Sequence, residues 1–198
     1  KMTSVIGLLE SMAAIASFRA MMQEHTVPVL KKSKTGFLNM DEGYHPMISD
    51  PVKNSIKVER GVLLTGSNAS GKSTFLKTVA INAILAQTVH TCMAKRYESS
   101  FFRIYSSMAL RDDLVGQESY YIVEIKALKR ILDVLDEEMP VLCFVDEVLR
   151  GTNTVERIAA SSQILKSLSR EDVICFAATH DVELTHMLEK EYDNYHFQ

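Results

Sequence analysis

Two short apolar runs limit the fold more than any other feature of this 198-residue chain. They are VLCFVD at 141–146 and VICFAATH at 173–180, and each ends in polar residues. Strands that are apolar on both faces are typical of parallel sheets, which helices cover on both sides. Amphipathic helical segments lie between such runs along the chain. The sequence therefore predicts an α/β fold, with a mainly parallel central sheet flanked by helices and right-handed crossovers.

The other predicted elements continue this alternation and place a short helical segment ahead of it. Apolar residues at helical spacing predict a helix over 4–23, followed by a connector over 25–33. We expect 1–33 to lead from a preceding domain, and 34–198 to form one α/β domain. Further predicted strands lie at 55–58, 61–66, 101–110 and from about Asn194. Further predicted helices lie at 72–90, 119–138, 153–169 and 181–190.

Composition and charge limit where the protein is expected in the cell and which partners this chain is expected to bind. The net charge is −3, so the chain has no overall basic field for nucleic acid, and any DNA contact is expected from outside this chain. Three cysteines without paired spacing predict a reducing compartment, and we expect a cytoplasmic protein. Because no unbroken apolar run reaches 18 residues, we expect no membrane contact from this chain.

A glycine-rich segment follows the predicted strand 61–66 and precedes the predicted helix 72–90. It has the pattern of a phosphate-binding loop, in which two glycines enclose four free positions and are followed by Lys72 and Ser73. Glycines let backbone N–H groups approach phosphates, and the helix N-terminus adds partial positive charge. We expect Lys72 to reach the β- and γ-phosphates and Ser73 to bind Mg²⁺. The predicted nucleotide-binding residues of this loop are Gly66, Ser67, Asn68, Ala69, Ser70, Gly71, Lys72, Ser73 and Thr74.

Acids and a histidine follow the two apolar strands, where the carboxyl ends of parallel strands meet. Asp146 ends the first strand and is expected to hold the metal together with Ser73. Glu147 follows it and can orient and deprotonate an attacking water. His180 ends the second strand and is expected to sense the γ-phosphate through a hydrogen bond. The second acid favours an ATP hydrolase over a small-molecule kinase.

The stretch DDLVGQESYYIVEI at 112–125 allows two interpretations. In the first, Ser119 only caps the predicted helix 119–138. In the second, Ser119 and the positive end of that helix point at a γ-phosphate bound by another subunit. Spacing alone leaves both interpretations open.

Five segments, taken in order, resemble the ATPase domain of the MutS family, the DNA mismatch repair proteins and their relatives. Together they span nearly the whole chain, and residues 4–30 also look like the last helix leading into that domain. The segments are EGYHP at 42–46, TGSNASGKSTF at 65–75, DDLVGQESYYIVEI at 112–125, FVDEVLRGTNT at 144–154 and ATHDVEL at 178–184.

The resemblance implies an ABC-type P-loop NTPase fold that binds ATP or ADP with Mg²⁺ and hydrolyses ATP to ADP and phosphate. It implies a homodimer through the ATPase site in the full-length protein, with Ser119 acting in trans. Nucleotide exchange would then switch how domains outside this chain hold DNA. The adenine is expected to stack on an apolar side chain after the His-Pro element, either Val52 or Ile56. The implied catalytic residues are Glu147, Lys72, His180 and Ser119.

Departures from the family pattern suggest a divergent bacterial member. Ser67 stands where proline is common, Ala69-Ser70 precede Gly71, and the signature segment reads ESYY. The family's mismatch-reading Phe-x-Glu motif does not occur in the chain, so a role without mismatch recognition stays open. The final YDNYHFQ looks like the middle of a hairpin, and we expect the domain to be truncated at its C-terminus.

Three other functions compete with the DNA-linked ATPase. A transporter-type ATPase would need a Leu-Ser-Gly-Gly-Gln signature, which the sequence lacks. A P-loop kinase would have a basic lid and usually no counterpart of Glu147. A nucleotide-gated scaffold would bind ATP with little turnover. The presence of Lys72, Asp146 and Glu147 together favours hydrolysis.

Overall fold

Strands and helices alternate along most of the chain. The computed structural model describes residues 2–22, 24–67, 70–108, 120–135, 138–149 and 153–197. The helices are α1 (Met2–Met21), α2 (Lys72–Thr88), α3 (Tyr120–Leu132), α4 (Thr154–Ser167) and α5 (Glu183–Met187). The strands are β1 (Val29–Lys31), β2 (Leu38–Gly43), β3 (Asn54–Val58), β4 (Gly61–Gly66), β5 (Arg96–Ser100), β6 (Arg103–Ser107), β7 (Val141–Asp146), β8 (Val173–Ala178) and β9 (Tyr192–Phe197).

Five strands form a parallel sheet in the order β6-β7-β8-β4-β9. The two apolar runs are its neighbouring strands β7 and β8. From β4 the chain crosses to β6 at one edge, returns strand by strand to β8, and then passes β4 to reach β9. Such a reversal leaves a crevice at the carboxyl ends of the strands, where ligands bind. The predicted α/β fold with a mainly parallel sheet flanked by helices is confirmed.

The side chains of β7 and β8 alternate between two apolar cores, one on each face of the parallel sheet. Phe144 and Phe176 face α2 and the mixed sheet described next, and their rings stack with centroids 5.5 Å apart. Cys143 and Cys175, which are neighbours in register, face α3 and α4 on the opposite side. Burial on both faces explains why neither strand shows a polar alternation.

A smaller mixed sheet has the strand order β1-β5-β2-β3. Of its four strands, the sequence predicts only β3. β1 pairs parallel with β5, whereas β5 with β2 and β2 with β3 pair antiparallel. The sequences RYESS of β5 and LNMDEG of β2 carry too few apolar residues to stand out as strands. β1 lies inside the predicted connector 25–33, and so this segment also contributes to a sheet.

Helices α2 and α4 begin where the sequence predicts them, α2 at Lys72 and α4 directly after Asn153. The predicted cap of α4 is confirmed, since the Asn153 side chain accepts a hydrogen bond from the Glu156 N–H at 3.0 Å. Helices α3 and α5 are shorter than the predicted 119–138 and 181–190.

Helix α1 lies outside both cores, and none of its side chains is buried. Arg19 holds its last turn to the segment after α2, donating to Thr91 Oγ1 at 2.7 Å and to the His90 carbonyl at 3.0 Å. In length and composition α1 would suffice to cross a membrane, although signal sequences and core helices of soluble proteins pass the same test, so this is weak evidence. The helix predicted over 4–23 is confirmed, but the sequence does not single it out as a candidate span, because Glu10 and Arg19 interrupt its apolar run.

Candidate functional site

The carboxyl ends of β4, β7 and β8 lie side by side, and we call this place the carboxyl edge. In register, Ala178 at the end of β8 lies between Leu64 of β4 and Asp146 of β7. Two hydrogen bonds continue the ladder beyond the strands: Thr179 N–H donates to the Leu64 carbonyl at 2.9 Å, and Glu147 N–H donates to the Ala178 carbonyl at 3.0 Å. The sheet thus brings together three segments that are far apart in sequence.

The glycine-rich loop joins β4 to α2 at this edge. Its first and last glycines have positive φ, 145° at Gly66 and 97° at Gly71, which L side chains rarely adopt. Lys72 is almost fully buried, and its Nζ donates to the carbonyls of Gly66 and Ser67, both at 2.8 Å. The ammonium group is therefore held inside the loop. Of the other predicted loop residues, Asn68 and Ala69 lie outside the described residues.

The loop leads directly into α2, whose first residues are Lys72, Ser73 and Thr74. Backbone N–H groups in the first turn of a helix have no partner within the helix and attract anions. The Ser70 hydroxyl is buried and has no hydrogen-bond partner among the described residues. A Cβ added to Gly71 would meet no atom within 4 Å, so the described structure leaves open space on that side of the loop.

Glu147 and His180 form a pair at the carboxyl edge. His180 Nε2 lies 3.1 Å from Glu147 Oε1, although the residues are 33 positions apart. Glu147 has a φ of 59°, an uncommon conformation for a residue with a side chain, and strain of this kind is frequent at functional sites. Asp146, half-buried, ends β7 just before it.

The turn after Glu147 is held by a buried carboxylate from α3. Leu149 also has a positive φ, 58°, and its N–H donates to Glu124 Oε1 at 2.5 Å. Glu124 is only 1% exposed. A buried hydrogen bond of this kind can stabilise an otherwise unfavourable turn. Sequence reasoning missed Glu124 as a site residue, because its position fits an ordinary place on an amphipathic helix.

An ion pair, Arg157 with Asp181, lies next to the Glu147–His180 pair. The Arg157 guanidinium donates through Nε to Asp181 Oδ2 at 2.9 Å and through Nη2 to Oδ1 at 2.6 Å. Both pairs line a cavity of about 190 Å³ together with Val148 and Thr179. No local pattern in the sequence indicates this ion pair, since its members lie on separate elements.

A second, larger cavity of about 440 Å³ opens beside the glycine-rich loop. Val52 lines it and is 81% exposed, whereas Ile56 is 5% exposed and packs in the core under the mixed sheet. Of the two residues predicted to contact adenine, only Val52 is therefore available to a ligand, because alternation along β3 turns Ile56 inward. The cavity lining also includes His45, Ile48, Asp50, Pro51, Asn54, Ser70, Gly71, Thr74, Phe75, Thr78 and Phe197.

One buried amide attaches the wall of this cavity to α2. The side chain of Asn82 donates to the Tyr44 carbonyl at 3.2 Å and accepts from the Met93 N–H at 2.6 Å. Tyr44 directly precedes His45, whose pKa is lowered by burial and, secondarily, by the charge of Lys77. A lone amide within the apolar run VAINAILA is a sequence signal that could have identified Asn82.

The predicted trans residue, Ser119, lies outside the described residues, so its role stays a prediction. The described part of its segment begins with α3 at Tyr120.

Comparisons with a family model and with individual proteins identify the same family. A family model described as MutS domain V matches residues 62–198. The DNA mismatch repair protein MutS of Thermotoga maritima is 32% identical over 190 residues, which are 92% of this chain and 23% of that protein. MutS of Thermus aquaticus is 34% identical over 153 residues, or 75% of this chain and 19% of that protein. The chain spans about a quarter or less of the length of these relatives.

Proposed function

The chain belongs to the MutS family, and we propose that it binds ATP with Mg²⁺ and hydrolyses it to ADP and phosphate, as an ABC-type P-loop NTPase domain. One observation carries the proposal: the glycine-rich loop with Lys72, the acids Asp146 and Glu147, and His180 all meet at the carboxyl edge. A phosphate-binding loop beside paired acids at strand ends is the arrangement that nucleotide hydrolysis requires.

The loop offers donors suited to a chain of phosphates. Lys72 is already desolvated within the loop, so its charge acts at close range on β- and γ-phosphate oxygens. The buried Ser70 hydroxyl supplies a donor that the described residues leave without a partner. Ser73 and Asp146 provide the oxygen ligands that Mg²⁺ prefers. When bound, Mg²⁺ would neutralise charge on the β- and γ-phosphate oxygens.

The other side of the site carries the hydrolytic groups. Glu147 would accept a proton from the attacking water through its carboxylate. His180, in contact with that carboxylate, would fix its orientation and sense the γ-phosphate. Both side chains remain partly exposed, so water can reach them. The nucleoside would enter the larger cavity, where Val52 and Phe197 offer apolar contact to a base.

The proposal extends to assembly and location. Ser119 would complete the site of a second copy, so that ATP favours a homodimer of the full-length protein. DNA would be held by domains outside this chain, in line with the names of the relatives as DNA mismatch repair proteins. Cytoplasmic location is supported by three free, buried cysteines, which require no oxidising compartment.

The test combines phosphate release with sedimentation. Without any acceptor, the wild-type chain should release phosphate from ATP only when Mg²⁺ is present, which a kinase would not do. Lys72→Ala should lose nucleotide binding. Glu147→Gln should keep binding but lose about 10²–10⁴-fold in turnover, the range typical of a missing general base. Exposed Glu189→Gln serves as the matched control and should behave as wild type.

Each alternative has its own outcome. Unchanged turnover in Glu147→Gln would remove Glu147 as the base. ATP binding without phosphate release by the wild type would support the nucleotide-gated scaffold instead. A full-length Glu147→Gln protein that stays monomeric in saturating ATP would rule out the trans role of Ser119.

A further inference from the structure

The Arg157–Asp181 pair joins two elements that flank the hydrolytic groups. Arg157 lies near the start of α4, and Asp181 follows His180 directly in the turn after β8. Its two hydrogen bonds fix the planar guanidinium in one orientation relative to the carboxylate. The side chains are 24% and 13% exposed, so water screens this pair less than a surface ion pair.

The turn between β8 and α5 is held at both of its ends, with His180 in the middle. On one side Thr179 N–H is bound to β4, and the Thr179 hydroxyl accepts from the Asp181 N–H at 3.0 Å. On the other side Asp181 is held by Arg157. The position of the His180 ring, 3.1 Å from Glu147, therefore depends on an anchor in α4.

Electrostatics also strengthens the hold of Arg157 on Asp181. The pKa of Arg157 is raised, first by its hydrogen bond to Asp181 and further by the negative charges of Asp181, Glu147 and Glu183. The guanidinium therefore stays charged and keeps its two hydrogen bonds to the Asp181 carboxylate.

We propose that Arg157, acting through Asp181, is a positioning residue that sets the place of His180 and thereby the orientation of the Glu147 carboxylate for ATP hydrolysis. The inference rests on the proposed function for its catalytic consequence, but its structural part stands alone. Loss of the pair should affect the chemical step more than nucleotide binding, because neither side chain belongs to the phosphate-binding loop.

The structural part is tested by NMR of the histidine rings in the 198-residue chain. Long-range ¹H–¹⁵N spectra of wild type, Arg157→Ala and Asp181→Asn are compared, with His180→Gln used to assign the ring. We expect the His180 signals to shift in both variants while those of the other five histidines stay in place. Arg60→Ala is the matched control, since Arg60 is also bound through its guanidinium to an aspartate, Asp193, at the opposite end of the same sheet.

The catalytic part is tested with steady-state ATP hydrolysis by the same variants. We expect kcat to fall on the order of tenfold or more with KM changed less than about threefold, because small misplacement of a catalytic group costs rate rather than binding. Arg157→Lys keeps the charge without the two-pronged geometry and should give an intermediate kcat. The double variant Arg157→Ala/Asp181→Asn should be no slower than the worse single variant, since each removes the same contact.

The outcomes separate the inference from the proposed function. Unshifted His180 signals, or a kcat within twofold of wild type in Arg157→Ala, would overturn the inference. The inference would also be overturned if KM and thermal stability changed in parallel with kcat in both Arg157→Ala and the milder Asp181→Asn. A wild type with no more hydrolysis than Lys72→Ala would overturn the proposed function and the catalytic part, while the NMR result still decides whether the pair positions His180.

Discussion

Replacing Asn82 with alanine offers the most direct test of how the cavity wall is attached to α2. Asn82 is fully buried and holds the Tyr44 carbonyl and the Met93 N–H, both of which lie in buried residues. Alanine would leave these two backbone groups without the partner they have now. The third hydrogen bond of the Asn82 side chain, to the Thr78 carbonyl within α2, would also be lost, but the backbone hydrogen bonds of the helix would remain.

The magnitude follows from these contacts. A buried polar group left without a partner costs about 1–3 kcal/mol, so two such groups cost about 2–6 kcal/mol. The higher helix propensity of alanine returns about 0.5 kcal/mol. We therefore expect the free energy of unfolding to fall by about 3 kcal/mol. For a domain of this length that corresponds to a melting temperature lower by about 6–12 °C.

Chemical denaturation followed by circular dichroism measures this change. Thr88→Ala on the same helix is the control, because the exposed Thr88 hydroxyl bonds the Ile84 carbonyl one turn earlier, and the change should alter stability by less than about 0.5 kcal/mol. If Asn82→Ala destabilises no more than Thr88→Ala does, the amide does not hold the wall and the reasoning fails. If it does hold the wall, a fluorescent ATP analogue should also bind more weakly to Asn82→Ala, since the wall lines the cavity proposed for the nucleoside.

Further predictions concern the glycine-rich loop and the thiols. Gly66→Ala should lower the melting temperature more than Gly71→Ala does: both residues have positive φ, but only at Gly66 would a Cβ lie 2.3 Å from the Phe197 carbonyl oxygen of β9. Equal losses would mean that this close approach does not matter. The three cysteines should not react with a disulfide reagent at pH 8 until the chain is unfolded, because all three are buried. Burial raises the pKa of Cys92 to about 12. The hydrogen bond with Cys175, together with burial, raises the pKa of Cys143. Rapid labelling of the folded chain, followed by mass spectrometry, would contradict this.

Much of the fold could be predicted because local patterns reflect local requirements. β7 and β8 are recognisable since burial on both faces demands unbroken apolar runs, and the cap at Asn153 acts within one turn. β2 and β5 could not be found in this way, because their pairing comes from partners elsewhere in the chain. Ile56 shows the same limit, since the face of β3 that points inward is set by the sheet.

The sequence by itself predicted the kind of chemistry that we propose: a glycine-rich loop before a helix allows close approach of backbone N–H groups to phosphates, and the spacing to Lys72 is local. Only the tertiary structure decided which side chains act together. Glu147 contacts His180 across 33 positions, and Arg157 binds Asp181 across 24. These contacts depend on the order and register of β4, β7 and β8. Sheet order and register arise from the packing of the whole domain, so no single stretch of sequence encodes them.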